Sequence, residues 1–165
     1  MIRIAHFLAL TFSGIFAGFL IAVLVLELSM RDATGPVYTQ VRQIELKGLD
    51  VLATVTLLPA LIATALIIAT RFREKGLPRR LPLTAFTLLA GVLILTIIVN
   101  LPINADQHNW IVTMPPPGWT TARDHWQISH AIRTVAATLA FVTLTAAAMG
   151  SNAGSPQNAR GLPMS

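Results

Sequence analysis

The amino-acid sequence predicts an all-α fold: a four-transmembrane-helix bundle with an extracytoplasmic helical cap between helices 1 and 2. The first observation behind this prediction is composition, since 54% of the 165 residues are hydrophobic, only 12% are charged and the mean hydropathy is +0.66. A soluble domain of this size cannot bury so much apolar surface by folding on itself. The second observation is that the apolar residues fall into four runs of membrane-spanning length, at about residues 4–27, 51–70, 81–101 and 126–149.

Cysteine content and charge narrow the class of protein further. The chain has no cysteine, which excludes disulfides, thiol redox chemistry and cysteine-ligated haem, zinc or iron–sulfur centres. Its net charge of +5 lies mostly beside the apolar runs, so we interpret it as a topology signal. We therefore expect the lipid bilayer, not nucleic acid, as partner. Residues 1–150 are expected to form a single membrane domain, and the small, polar residues 151–165 a disordered tail.

The first span ends at Glu27 and leads into a polar segment, residues 28–48. A glutamate at the end of a span is most often solvated, unless a cation approaches it. Gly35 and Pro36 break the chain, and the residues that follow can form a helix, which we expect to rest on the bundle as a cap. One side of this helix is apolar, with Val37, Val41 and Ile44, and another side carries Tyr38, Arg42 and Glu45.

The loop after the second span is the clearest topological signal. The span itself carries Pro59 near its centre, where a proline usually kinks a helix. Residues 71–80 then contain five basic residues against one acid, so the positive-inside rule places this loop in the cytoplasm. With four spans, both termini are expected in the cytoplasm as well, and the expected location is a bacterial inner membrane.

The third span is apolar, apart from threonines, until Asn100. We expect Pro102 to stop this helix, and Asn104 follows four residues after Asn100. If the proline ends the helix between the two asparagines, only one of them would point inward. The connection to the fourth span contains three consecutive prolines, Pro115 to Pro117, and therefore cannot be helical throughout.

A stripe of polar and aromatic residues leads into the fourth span. Arg123, Trp126, His130 and Arg133 are spaced three, four and three residues apart, so they share one face of a helix. Trp119 extends the stripe if the helix begins that early. Arg133 already lies inside the apolar segment, and an ionisable residue at such a depth is a functional-site hypothesis by default.

The predicted topology places this stripe, the cap, Glu27, Asn100 and Asn104 at the extracytoplasmic end of the bundle. One interpretation is a structural layer of ion pairs, in which Glu27, Glu45 or Asp50 would be the counter-charges of Arg123 and Arg133. The other interpretation is an active site. There His130 would act as a general base, and Arg123 and Arg133 would stabilise an anion formed from the substrate.

The remaining candidates would bind the substrate. Trp119 and Trp126 offer flat surfaces to an aromatic ring, and Asn100 and Asn104 can donate hydrogen bonds to phenol or carbonyl oxygens. Glu27 and Glu45 complete the substrate-binding candidates.

A metal site is the competing chemistry. His108, His125 and His130 are available as ligands, with Glu27 or Glu45 as oxygen donors. His125 and His130 are five residues apart, however, and do not share a helix face. We therefore expect no metal, and a metal at these histidines is the minority alternative.

Two motifs resemble a known family. The segment N-L-P-I-N, residues 100–104, and the pattern W-x-x-x-R-x-x-W-x-x-x-H-x-x-R, from Trp119 to Arg133, are similar to those of the anthrone-oxygenase-like family of small four-helix membrane proteins. The resemblance covers about residues 4–149. It implies a cofactor-independent oxygenase that converts an anthrone to an anthraquinone in a polyketide pathway, with dioxygen as co-substrate.

The resemblance also implies a mechanism for a hydrophobic aromatic substrate that arrives from the bilayer. His130 would remove a proton from the acidic CH2 group, and Arg123 or Arg133 would hold the resulting phenolate-like anion, which then reacts with dioxygen. Other function classes stay open at this stage: a structural or accessory subunit of a membrane complex, a metal-dependent or quinone-binding redox protein, or a small transporter. A homo-oligomer is also left open.

Overall fold

The computed structural model describes residues 2–73 and 79–152. Within these ranges four helices are long and apolar enough to cross a membrane, which confirms the predicted all-α membrane bundle. The same ranges contain no β-strand, and only an isolated bridge joins Ile111 to Met114. The centre of the predicted cytoplasmic loop, residues 74–78, lies outside the described residues, as does the predicted tail from residue 153 onward.

Six helices and one π-helical turn follow one another along the described part of the chain. They are α1 (Ile2–Ser29), α2 (Gly35–Leu46), α3 (Leu49–Arg73), α4 (Arg80–Leu95), the π turn (Thr96–Asn100), α5 (Leu101–His108) and α6 (Trp119–Asn152). The candidate spans are α1, α3, the continuous α4–α5 segment and α6. Because α1 packs against α3 and α6, and α4 also packs against α3 and α6, the four spans form a closed ring of neighbours.

Alanines are prominent in the core of this bundle. Small residues let helix backbones approach closely, which favours association in lipid, where the hydrophobic effect gives little drive. Outward-facing side chains such as Ile15, Ile62 and Ile94 are more than half exposed, as expected for lipid contact. The buried core residues include Ala9, Phe16 and Leu20 of α1, Ala60 and Ile67 of α3, Ala85 and Leu89 of α4, and Ala137, Ala140 and Leu144 of α6.

The expectation that Pro102 stops the third span is wrong. The helix widens into the π turn, where the Leu101 N–H donates to the Thr96 carbonyl, and then continues as α5 to His108. A proline ring clashes with the carbonyl four residues earlier in a regular α-helix, and the wider turn relieves that clash. Because the helix continues, Asn100 and Asn104 are both buried.

The start of α6 explains why the whole stripe lies on one helix. Gly118, which follows the three prolines, has a φ of 80°, a conformation that favours glycine. Its carbonyl oxygen accepts a hydrogen bond from the Thr121 N–H at 2.9 Å, so α6 begins at Trp119. Arg123, Trp126, His130 and Arg133 are all buried.

The cap helix α2 rests on the bundle with its polar side. Tyr38, Arg42 and Glu45 are buried, whereas Val37 and Ile44 are 50% and 61% exposed. Its main contacts are with α5, and it touches α3 at the edge. The apolar side of α2 therefore faces outward, as in helices that lie at a membrane interface.

Candidate active site

A cavity of about 180 Å³ lies below α2, at the end of the bundle where α6 begins. Apolar side chains from α1, α3 and α4 form most of its wall, among them Phe19, Leu57 and Leu93. Its polar lining comes from α2, α3, the π turn, α5 and α6. The polar lining residues are Arg42, Glu45, Asp50, Thr54, Thr96, Asn104, His130 and Arg133, and Trp126 lies beside them.

His130 has one ring nitrogen bound and the other free. Its Nε2 lies 2.9 Å from the backbone carbonyl oxygen of Leu20, and a carbonyl can only accept, so Nε2 carries the proton. The Nδ1 atom has no hydrogen-bond partner among the described residues. The geometry thus leaves the Nδ1 lone pair available to accept a proton.

Trp126 orients His130 and is itself held by protein groups. The indole and imidazole rings stack with their centroids 4.6 Å apart and their planes 8° from parallel. The indole Nε1–H donates to Asn104 Oδ1 at 2.7 Å, and the Arg42 guanidinium lies 4.1 Å from the indole centroid. Since the indole already has these partners, its role as a stacking surface for a substrate ring stays a prediction.

Arg42 is the centre of a buried polar cluster that the sequence interpretation missed as a site. Its Nη1 forms ion pairs with Glu27, at 3.1 Å, and with Glu45. Its other nitrogens donate to Gln107 and Asn104, both at 3.0 Å. One cation on the cap therefore connects α1, α2 and α5.

The expectation that Glu27 is solvated is wrong, because Arg42 reaches it from the cap. Glu27 is fully buried and also accepts a hydrogen bond from Gln127 of α6 at 3.0 Å. Glu27 and Glu45 are thus direct ion-pair partners of Arg42, whereas Arg123 acts on Glu27 only from a longer distance. Of the three expected counter-charges, Asp50 is the one that acts on Arg133. The i,i+3 spacing of Arg42 and Glu45 on a cap helix was the available signal for this pairing.

Burial shifts the titration of the two acidic groups on α2. Burial raises the pKa of Glu45 above its ordinary value; Arg42 opposes this shift, and Glu27 adds to it by repulsion. Burial also raises the pKa of Tyr38, and the charge of Glu27 raises it further. The Tyr38 hydroxyl oxygen accepts a hydrogen bond from Gln107 at 3.3 Å.

Arg133 is a cation on the cavity wall, and the Asp50 carboxylate acts on it from beyond ion-pair distance. Its side chain is buried and lines the cavity, yet it makes no hydrogen bond or ion pair within residues 2–73 and 79–152. A guanidinium in a membrane span without such partners is unfavourable unless water or a ligand supplies an acceptor. An oxygen atom with negative charge on a bound molecule would supply that acceptor.

Four predicted site residues lie outside the cavity. Arg123 pairs with Asp124 at 2.9 Å and donates to the Arg31 carbonyl at 2.8 Å. Trp119 packs against Tyr38, with ring centroids 5.5 Å apart. Asn100 accepts a hydrogen bond from Ser129 at 2.7 Å, and Glu27 lies behind Arg42. The stripe runs along three turns of α6, and only its lower part, from Trp126 to Arg133, reaches the cavity.

The three histidines considered as metal ligands do not converge. His108 and His125 are exposed, whereas His130 is buried. Among the residues that the structure describes, no three histidine, aspartate or glutamate side chains are grouped so that they could hold a metal ion. The absence of a metal from the reaction stays a prediction.

A comparison with known families gives one match. The family model described as anthrone oxygenase matches residues 50–143, which is more than half of the chain. The match runs from the start of α3 into the second half of α6 and includes the cavity residues Asn104, Trp126, His130 and Arg133. Arg42 and Glu45 of the cap lie before it. No curated protein and no solved structure matches the chain.

Proposed function

Because the chain belongs to the anthrone oxygenase family, we propose that it is a membrane-embedded oxygenase for a hydrophobic aromatic substrate of the anthrone type. The reaction converts the CH2 group between two aromatic rings to a carbonyl, with dioxygen as co-substrate and no cofactor. One observation carries this proposal: His130 and Arg133 line the same cavity. Within the described residues, neither Nδ1 of His130 nor the Arg133 guanidinium has a hydrogen-bond or ion-pair partner.

The chemistry of the substrate matches these two groups. Loss of a proton from the CH2 group gives an anion whose charge spreads through the ring system onto the carbonyl oxygen. Nδ1 of His130 accepts that proton, and Arg133 stabilises the charged oxygen. We assign the anion-binding role to Arg133 and not to Arg123, because Arg123 is engaged with Asp124 outside the cavity.

Access from the bilayer suits a substrate of this kind. Leu58 of α3, Ile97 of the π turn and Leu101 of α5 all line the cavity, and all three are substantially exposed. A planar apolar molecule dissolved in lipid can therefore approach between α3 and the π turn without crossing water. Dioxygen also dissolves in the apolar region of a bilayer and can follow the same route.

A purely structural layer explains only part of the arrangement. Arg42 pairs with two buried carboxyl groups and connects helices, as a structural role requires. Arg133 forms no hydrogen bond or ion pair within the described residues, and the charge of Asp50 acts on it without a direct contact that would join two helices. An accessory subunit of a larger complex is therefore the less favoured alternative.

The direct test is oxygen consumption by the purified protein with an anthrone-type substrate in detergent. Because such substrates also oxidise slowly by themselves, heat-denatured protein is the baseline. We expect consumption of one dioxygen per quinone formed, unchanged by a metal chelator, with less than stoichiometric metal in the protein. A rate equal to that of denatured protein would contradict the proposed function, and loss of activity on chelation would contradict its cofactor-free form.

A further inference from the structure

The second half of the proposed reaction needs a proton donor, and this inference rests on the proposed function. Once dioxygen has added to the substrate carbanion, His130 returns its proton to the peroxide anion, so the former CH2 carbon carries one hydrogen and one hydroperoxide group and the imidazole is neutral again. This carbon becomes a carbonyl when a base takes the remaining C–H proton. The C–H electron pair forms the C=O bond, the O–O bond breaks, and the outer oxygen leaves. Hydroxide is a poor leaving group, so a general acid that protonates it accelerates this step.

Few groups on the cavity wall can serve as that acid. Arg42 and Arg133 hold their protons too tightly to be useful donors. Asp50 is exposed, and its Oδ1 accepts a hydrogen bond from Asn104 at 3.1 Å. Glu45 is the buried carboxyl group of the cavity wall.

The two oxygens of Glu45 have different surroundings. Oε2 accepts a hydrogen bond from Arg42, which fixes the orientation of the carboxyl group. Oε1 is buried without a hydrogen-bond partner among the described residues. A proton on Oε1 would have no competing acceptor in that part of the protein, so it could be donated to a molecule in the cavity.

The charge balance around Arg42 favours a proton on this pair of carboxyl groups. Nη1 of Arg42 is the shared partner of Glu27 and Glu45, so one positive charge is in direct contact with two buried carboxyl groups, and Arg123 acts on Glu27 only from a longer distance. Two ionised carboxylates at one cation leave an uncompensated negative charge, which burial and mutual repulsion disfavour. The raised pKa of Glu45 is consistent with this balance.

We propose that Glu45 is the general acid that protonates the leaving oxygen of the substrate hydroperoxide, while His130 takes the C–H proton. Across the whole reaction a CH2 group and one dioxygen become a carbonyl and one water. Transfer of the proton from His130 to Glu45 then restores both groups. Glu45 lies on the cap, before the residues that match the family.

Glu27 provides a matched control for this role. Glu27 and Glu45 are both buried and both pair with Nη1 of Arg42. Of these two, Glu45 alone lines the cavity. Glu45→Gln and Glu27→Gln therefore remove the same charge from the same cluster, but only the first removes a carboxyl group from the cavity.

The experiment is a single turnover of each variant with an anthrone-type substrate in air-saturated detergent, stopped by acid and analysed by mass spectrometry. For Glu45→Gln we expect the substrate to disappear at a near wild-type rate while a species heavier by one dioxygen accumulates. Quinone formation should fall by roughly 10²–10⁴-fold. For Glu27→Gln we expect quinone formation without accumulation of the heavier species, whatever the overall rate of this variant.

Three outcomes would overturn the assignment of Glu45. The first is quinone formation by Glu45→Gln without accumulation of the hydroperoxide, and the second is equal accumulation of the hydroperoxide in Glu27→Gln. The third applies if Glu45→Gln does not fold. It is the absence of transient hydroperoxide accumulation in Glu45→Asp, whose shorter side chain holds the carboxyl group further from the cavity. If the wild type oxidises the substrate while one of these outcomes is observed, only the role of Glu45 is wrong and the proposed function is kept. A wild type that consumes no oxygen overturns both.

Discussion

His130 and Leu20 are joined by a hydrogen bond from the imidazole Nε2 to the backbone carbonyl oxygen, 2.9 Å away. The bond connects α6 to α1, and because a backbone carbonyl can only accept, it holds the imidazole in one tautomer. Stacking against Trp126 fixes the plane of the ring. An imidazole oriented in this way would need little rearrangement before proton transfer, as the proposed role of His130 as the base requires.

The two buried arginines that line the cavity should respond differently to loss of their charge. Arg42→Met leaves Glu27 and Glu45 without their cation, and removal of one partner from a buried ion pair typically costs about 3–5 kcal/mol. Arg133→Met removes a buried cation that forms no ion pair within the described residues and interacts with Asp50 only from a longer distance. We therefore expect a large fall in the free energy of unfolding for Arg42→Met, and no fall or a small gain for Arg133→Met.

Unfolding in detergent, followed by circular dichroism or by melting temperature, measures both variants under the same conditions. If Arg133→Met loses as much stability as Arg42→Met, then Arg133 has a counter-charge in the folded protein and the structural interpretation of the stripe is favoured. Turnover of Arg133→Met should be lost while its fold is kept.

The pH dependence of stability should reveal the carboxyl group of Glu45. Its pKa in the folded protein is raised above the ordinary value of 4.5, so above about pH 4.5 the folded state binds more protons than the unfolded state. Stability then falls as the pH rises, until the folded-state pKa is passed. Glu45→Gln lacks this contribution, so the melting temperature of the variant should increase relative to that of the wild type as the pH rises. Parallel melting curves against pH would show that Glu45 titrates as it does in the unfolded chain.

Local patterns in the sequence predicted much of this structure. The four apolar runs gave the spans, and the spacing of Arg123, Trp126, His130 and Arg133 predicted a single buried face, because helical periodicity depends on neighbouring residues alone. The position of Arg42 could not be predicted in this way. It depends on which side of α2 meets the bundle, which is a tertiary contact between segments far apart in the chain.

The π turn before Pro102 was missed for a different reason. A proline is a reliable signal that a regular helix ends, and nothing in the residues 96–100 signals that a wider turn will let the helix continue. The sequence also could not separate the stripe residues that face the cavity from those above it. Arg123 and Arg133 share a helix face, and only tertiary contacts, such as that of Arg123 with the α1–α2 connection, decide that Arg133 is the one that lines the cavity.

Membrane topology is a prediction from charge. Five basic residues between Arg71 and Arg80 should keep this loop in the cytoplasm, and both chain ends with it. The measurement is labelling of Gly76→Cys in intact cells with a reagent that does not cross the membrane, since the chain has no natural cysteine. We expect the introduced cysteine to be labelled only after the cells are permeabilised. Efficient labelling of intact cells would place the cavity end in the cytoplasm instead.

The measurement that tests the central claim most directly is the oxygen consumption of His130→Gln with an anthrone-type substrate. A glutamine amide can still donate a hydrogen bond towards the Leu20 carbonyl but cannot act as the base. We therefore expect an unchanged melting temperature and a turnover lowered by roughly 10²–10⁴-fold, while the matched variant of the exposed histidine, His125→Gln, stays at the wild-type rate. A His130→Gln protein that folds normally and oxidises the substrate at a near wild-type rate would contradict the account.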